Sequence, residues 1–80
     1  MELKKGRFYT VILECEGFFS KARAKDVDIV KNNDEDVLVF YDCTCGVRKE
    51  IPGKIEKNDN NEIIFSVSDK KKYIVREISI

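Results

Sequence analysis

Histidine is absent from the 80 residues, and with it the commonest general base and the usual Ser–His and Cys–His nucleophile pairs. Glycine occurs only at positions 6, 17, 46 and 53, which rules out a phosphate-cradling loop or a dinucleotide fingerprint. The three cysteines do not make an even disulfide framework, so reduced thiols are expected. No apolar run approaches the ~20 residues that a membrane-spanning helix needs, and Met1–Lys5 has no signal-peptide apolar region. A cytoplasmic protein is the expectation, with no membrane partner. An excess of one charge is missing too: 15 basic residues face 15 acidic ones. Residues 1–40 hold seven basic and eight acidic side chains, and residues 41–80 hold eight and seven. Any binding to nucleic acid must therefore use a local patch rather than a global field.

What is present reads as one small globular domain over residues 1–80. The hydrophobic fraction of 42% is ordinary for a folded chain and argues against disorder. A core of this size rarely gives more than ~3–5 kcal/mol of net stability, which leaves little room for a buried active site.

Apolar residues alternate in runs separated by polar punctuation. Arg7–Cys15 places Tyr9, Val11, Leu13 and Cys15 on one parity, a strand with one buried face. Glu16-Gly17 is a turn. Phe18–Lys31 is ambiguous. Read as a strand it needs a bulge near Lys25-Asp26, because Val27 and Ile29 fall on the opposite parity to Phe18, Ser20, Ala22 and Ala24. Read as a helix over Ser20–Val27 it has an N-cap in Ser20 but only a thin apolar stripe. The strand is the favoured reading.

After the polar stretch Asn32–Asp36, Val37–Tyr41 is the most apolar strand and is expected to be central. Asp42–Gly46 is a tight connection, and Val47–Lys57 alternates again. Pro52, the only proline, cannot donate to a ladder and predicts a kink, bulge or edge there. Asn58–Asn61 is a turn, and Glu62–Val67 and Lys72–Ile80 are the last strands, joined by Ser68–Lys71. Six strands on short connections must pair antiparallel in sequence order. With no helix to cover them they must close or fold over. The expected fold is all-β, a six-stranded barrel or rolled sandwich of SH3-like or OB-like size.

Few constellations carry chemistry. The carboxylate pairs Asp26/Asp28 and Asp34/Asp36 are what chance gives in so acidic a chain, and a non-catalytic protein without a cofactor is expected. Cys43 and Cys45 share a turn, and Cys15 ends a strand. With Asp42 or a second chain they are candidates for zinc or for redox chemistry. The C-x-C spacing and the missing fourth ligand count against metal, and Cys15 reads as a small buried hydrophobe.

The strongest local patch is Phe18–Lys25. As a strand it projects Phe19, Lys21, Arg23 and Lys25 from one face along ~20 Å, the pattern of a single-strand nucleic-acid binder. The competing reading is a solvated face that protects a strand from aggregation. Lys70–Lys72 extends the patch only if it lies alongside. A third feature is apolar residues on both parities: Phe8 and Ile12 on the first strand, Ile74 and Ile78 on the last. That surplus suits a protein partner or homodimer docked on a strand or sheet face, the leading functional expectation, with nucleic-acid binding as the alternative.

Overall fold

The computed structural model describes residues 1–78. Its six strands are β1 (Phe8–Cys15), β2 (Phe18–Asn32), β3 (Glu35–Asp42), β4 (Val47–Asn58), β5 (Ile63–Ser68) and β6 (Lys71–Glu77). Each pairs antiparallel with its sequence neighbour, and β6 returns to β1, closing the barrel. The barrel, rather than the rolled sandwich, is therefore the arrangement adopted. No helix occurs among the described residues, so none is long and apolar enough to cross a membrane.

The hairpins close on local chemistry. Glu16 (φ 49°) and Gly17 (φ 86°) both take positive φ between the paired residues Cys15 and Phe18. Two such residues form the turn whose twist matches the flanking strands. Asn33 (φ 59°) does similar work between β2 and β3. The polar stretch Asn32–Asp36 is shorter than a loop, since Asn32 pairs with Glu35 and only two residues turn. The strand expected over Lys72–Ile80 ends at Glu77. Ile78 donates its N–H to the Phe8 carbonyl at 3.2 Å, and Ser79 and Ile80 lie outside the described residues.

The ambiguous segment is one 15-residue strand. Its ladder to β3 slips between Lys25 and Asp28, and Asp26 sits at φ 52°, a conformation Asp tolerates better than most residues. The bulge lets both Ala24 and Val27 point inward on either side of it, and both are buried. The helical alternative fails because its stripe would have buried too little.

Inside the barrel, Tyr9, Val11, Leu38, Phe40, Ile63, Phe65, Tyr73 and Val75 join Ala24 and Val27 in one cluster. Met1, Leu3, Leu13, Ile29, Ile51 and Val67 pack at its margins. Fully burying one such side chain contributes ~1.5–3 kcal/mol. Val37 and Val39 point outward yet are also buried, so β3 is covered on both faces over Val37–Phe40.

Strand β4 differs. Val47–Gly53 pairs with β3, and Lys54–Asn58 pairs with β5. Pro52 and Gly53 stand at the exchange of partners. A Cβ on Gly53 would lie 2.3 Å from the Ser66 carbonyl oxygen and 2.7 Å from Phe65 Cε2. Glycine is required because β5 crosses there at backbone contact. The expected kink or edge at Pro52 is realised as an edge: no strand pairs with the β5-facing side of Val47–Pro52 among the described residues.

Candidate functional site

Directly opposed residues of an antiparallel ladder share a face, so the register maps the outer wall of the barrel. Thr10 opposes Arg23, Ile12 opposes Lys21, and Glu14 opposes Phe19. The next row runs across four strands: Phe8 to Lys25 to Tyr41 to Arg48. The four residues singled out in the sequence, Phe19, Lys21, Arg23 and Lys25, do lie on one face. Phe8 and Tyr41 join them there. The sequence marks Phe8 only as outward-facing and Tyr41 only as the end of an apolar run. Register alone places them beside the cations.

The aromatic and cationic groups are interleaved. The Arg23 guanidinium stacks over the Phe8 ring at 4.3 Å from its centre, and Lys25 Nζ lies 5.3 Å from the centre of Tyr41. The backbone of Arg23 is pinned from the other side. Its carbonyl accepts the Cys43 N–H at 2.8 Å, and its N–H donates to Thr44 Oγ1 at 3.2 Å. Phe19 is 65% exposed and Phe18 is 80% exposed, at the tip of the β1–β2 hairpin, where β2 has no β3 partner before Ala24.

Charge pairing sets this face apart. Of the 15 lysines and arginines, Arg7, Lys31, Arg48, Lys49, Lys57, Lys70, Lys72 and Arg76 each have a carboxylate partner. Among the described residues, Lys21, Arg23 and Lys25 have none. Lys4, Lys5, Lys54 and Lys71 also lack one, but they are spread over the N-terminal segment, β4 and the start of β6. Successive outward residues of a strand are ~6.6 Å apart. Three unneutralised cations therefore run in line on β2, flanked by Phe19, Phe8 and Tyr41. Arg48 continues the last row but leans on Glu50 at 3.8 Å. Lys70–Lys72 does not extend the patch. Lys72 faces outward but is separated from Phe19 by Glu14, to which it is paired at 3.9 Å, and Lys70 is paired with Glu16 at 3.5 Å.

The cations also have a packing role. Ile12 lies on the outer wall and is only 6% exposed. It sits in a row between Lys21 and the half-buried Ile74. The long apolar stem of a lysine can cover such a residue while its ammonium stays in water. Most of the apolar surplus expected on the sheet faces is thus absorbed: Ile12 is buried, and Ile74 and Ile78 are half-buried. The large apolar side chains left open are Phe18, Phe19, Val30, Val47, Ile55 and, marginally, Phe8.

The cysteines are not assembled into a ligand set. Cys15 closes β1 against Phe18 and Lys71, whereas Cys43 and Cys45 lie in the β3–β4 turn. No cluster of three metal-ligating side chains forms among the described residues. Asp42, considered as an oxygen ligand, is otherwise engaged. Its Oδ1 accepts the N–H of Thr44 at 2.9 Å and of Cys45 at 3.3 Å, and its Oδ2 meets Lys49 Nζ at 3.0 Å. Burial pushes this carboxyl up, but the bonds from Lys49, Cys45 and Thr44 outweigh it and hold the pKa below the ordinary aspartate value. The carboxylate pairs are equally local in their bonding: Asp28 accepts the N–H of Ile29, and Asp36 is paired with Lys31.

Compared with protein-family models, with curated proteins and with solved structures, the chain matches none. A functional reading therefore rests on these side chains.

Proposed function

We propose that the protein is a non-catalytic binding domain that takes single-stranded nucleic acid on the outer face of β1, β2 and β3. The observation that carries this reading is the line of Lys21, Arg23 and Lys25, unpaired with any carboxylate among the described residues and set among Phe8, Phe19 and Tyr41. Phosphates meet the three cations, and Phe19 offers an open ring on which a base stacks. Arg23, held over the Phe8 ring, is placed to meet a phosphate or a second base. Nothing in the arrangement reads a base edge, so sequence preference is weak.

The test is a fluorescence anisotropy titration with mixed-sequence single-stranded DNA and RNA across a salt series. Three phosphate contacts give a slope of about −2 in log affinity against log salt. The double variant Lys21→Glu/Arg23→Glu abolishes binding, and Phe19→Ala weakens it by ~1–3 kcal/mol while leaving the salt slope intact. No binding at low salt, or undiminished binding by the double variant, overturns the proposal. A second reading, contact with a protein partner, is favoured by the unpaired edge of β4.

A further inference from the structure

The first half of β4 hydrogen-bonds on one side only. Val47–Gly53 is laddered to β3, while β5 joins the strand only from Lys54 onward. An open row of backbone donors and acceptors is a template for another strand unless something covers or blocks it. Proteins commonly block such edges with charge, and this one carries Arg48, Lys49 and Glu50. The order of those charges decides which strand fits.

Arg48 opposes Tyr41 and Glu50 opposes Val39, so both project from the outer wall. Val47 and Ile51 oppose Asp42 and Leu38 and share the inner face. A two-fold axis perpendicular to the sheet through Lys49 sets a second copy antiparallel to the first. Arg48 of each copy then stands opposite Glu50 of the other, and Val47 of each opposite Ile51 of the other. Both contacts occur twice. Val47 is 51% exposed, so it has apolar surface to lose. Lys49 meets its own copy on the axis, but each ammonium is held 3.0 Å from a buried Asp42 carboxylate, which offsets the repulsion.

Slipping the register by two residues in either direction brings Arg48 opposite Arg48 or Glu50 opposite Glu50 at the centre of the ladder, and gives up both Arg48–Glu50 contacts between the copies. Like charges directly opposite each other destabilise a strand pair. Pro52 falls just outside the five matched residues, where its missing N–H removes no bond. The segment is thus complementary to itself in one register and repulsive in its neighbours.

We infer that the chain forms a two-fold dimer by antiparallel pairing of Val47–Ile51 of β4 with the same segment of a second copy, joining two barrels through one continuous sheet. The pairing uses up the open edge of β4 in each copy, so this contact closes at two. It is independent of the nucleic-acid face, which needs neither Glu50 nor the β4 edge.

Sedimentation velocity over a concentration series tests it, with the fold of each variant checked by circular dichroism. The wild-type chain sediments as a dimer. Glu50→Arg alone and Arg48→Glu alone each turn two favourable pairs into two repulsive ones, and each raises the dissociation constant about tenfold or more. An equimolar mixture of the two variants restores the dimer, because an edge acidic at both outward positions then faces an edge basic at both. A wild-type chain that stays monomeric up to millimolar concentration overturns the inference. So does a Glu50→Arg chain as dimeric as the wild type, or a mixture no more dimeric than its components.

Discussion

Strands β3 and β4 are paired over seven residues, from Asp36–Gly53 to Asp42–Val47, yet they live in different surroundings. Val37, Leu38, Val39 and Phe40 are all buried, whereas β4 has no fully buried residue and only Ile51 and Gly53 are half-buried. β3 has a laddered neighbour on each side along most of its length. β4 changes neighbours in the middle and leaves half of one edge open. Closing a six-stranded wall requires strands to stagger, and the stagger is absorbed by β2, through its bulge, and by β4, through Pro52 and Gly53. The comparison teaches that five strands share the core evenly, two residues from each, while β4 adds no buried side chain and serves as a joint.

Truncation of one inward side chain on each strand breaks that comparison most directly. Phe40→Ala removes a side chain 1% exposed and packed 6.4 Å from the Tyr73 ring. A loss of ~3–5 kcal/mol is expected, about all the stability a core this small provides. Ile51→Ala, one strand over, costs only about 1 kcal/mol because its side chain is half exposed in the native state. Urea unfolding of both variants checks the pair. Equal costs would mean that β4 is as much a part of the core as β3.

The joint itself is tested by Gly53→Ala. The added methyl meets the Ser66 carbonyl and the Phe65 ring inside contact distance, so β4 and β5 must part or the ring must leave its rotamer. A cost of ~2–3 kcal/mol follows from overpacking. Amide exchange accelerated in β5 and the second half of β4, with β3 protected, is the expected signature. Exchange accelerated evenly would assign the joint no local role.

Asp42 and Lys49 tie the two strands together at the barrel end. Asp42→Ala leaves the Thr44 and Cys45 N–H groups without their acceptor and costs about 2 kcal/mol, with the half-exposed Lys49 contributing little of it. The folded pKa of Asp42 is depressed. Its contribution is therefore complete above the ordinary aspartate value of 3.8 and is lost as pH falls through the lower folded value. Asp42→Asn flattens that part of the acid-unfolding curve. An acid limb identical to that of the wild type would show that the ion pair adds nothing to the hydrogen bonds. Asp59 adds its own acid dependence: its carboxyl accepts the N–H groups of Asn61 and Glu62 and pairs with Lys57, which bring it to about 2.

Much of the barrel was legible in the chain because its cues are local. Tyr9, Val11, Leu13 and Cys15 share one parity, Glu16-Gly17 offers positive φ, and the parity break between Ala24 and Val27 marks the bulge. Short connections then leave antiparallel neighbours as the only pairing. The candidate site was half legible. Period two places Phe19, Lys21, Arg23 and Lys25 on one face, since side chains of one strand alternate without reference to anything else. Phe8 and Tyr41 belong to other strands and reach that face only through the β1–β2 and β2–β3 registers. Whether the surplus of Ile12 and Ile74 is covered was not legible for a like reason. Whether an outward isoleucine is covered depends on which stem crosses it, and Lys21 sits opposite Ile12.

By itself the sequence determined the strands, their turns and the bulge, because each is a property of a few consecutive residues. Tertiary structure alone decided that the wall closes, that Gly53 must be glycine, that three cations of β2 go without carboxylates, and that Val47–Pro52 keeps an open edge. Those are facts about which strand lies beside which, and at what offset. Contacts between distant residues are set by closure and register, which no single segment encodes.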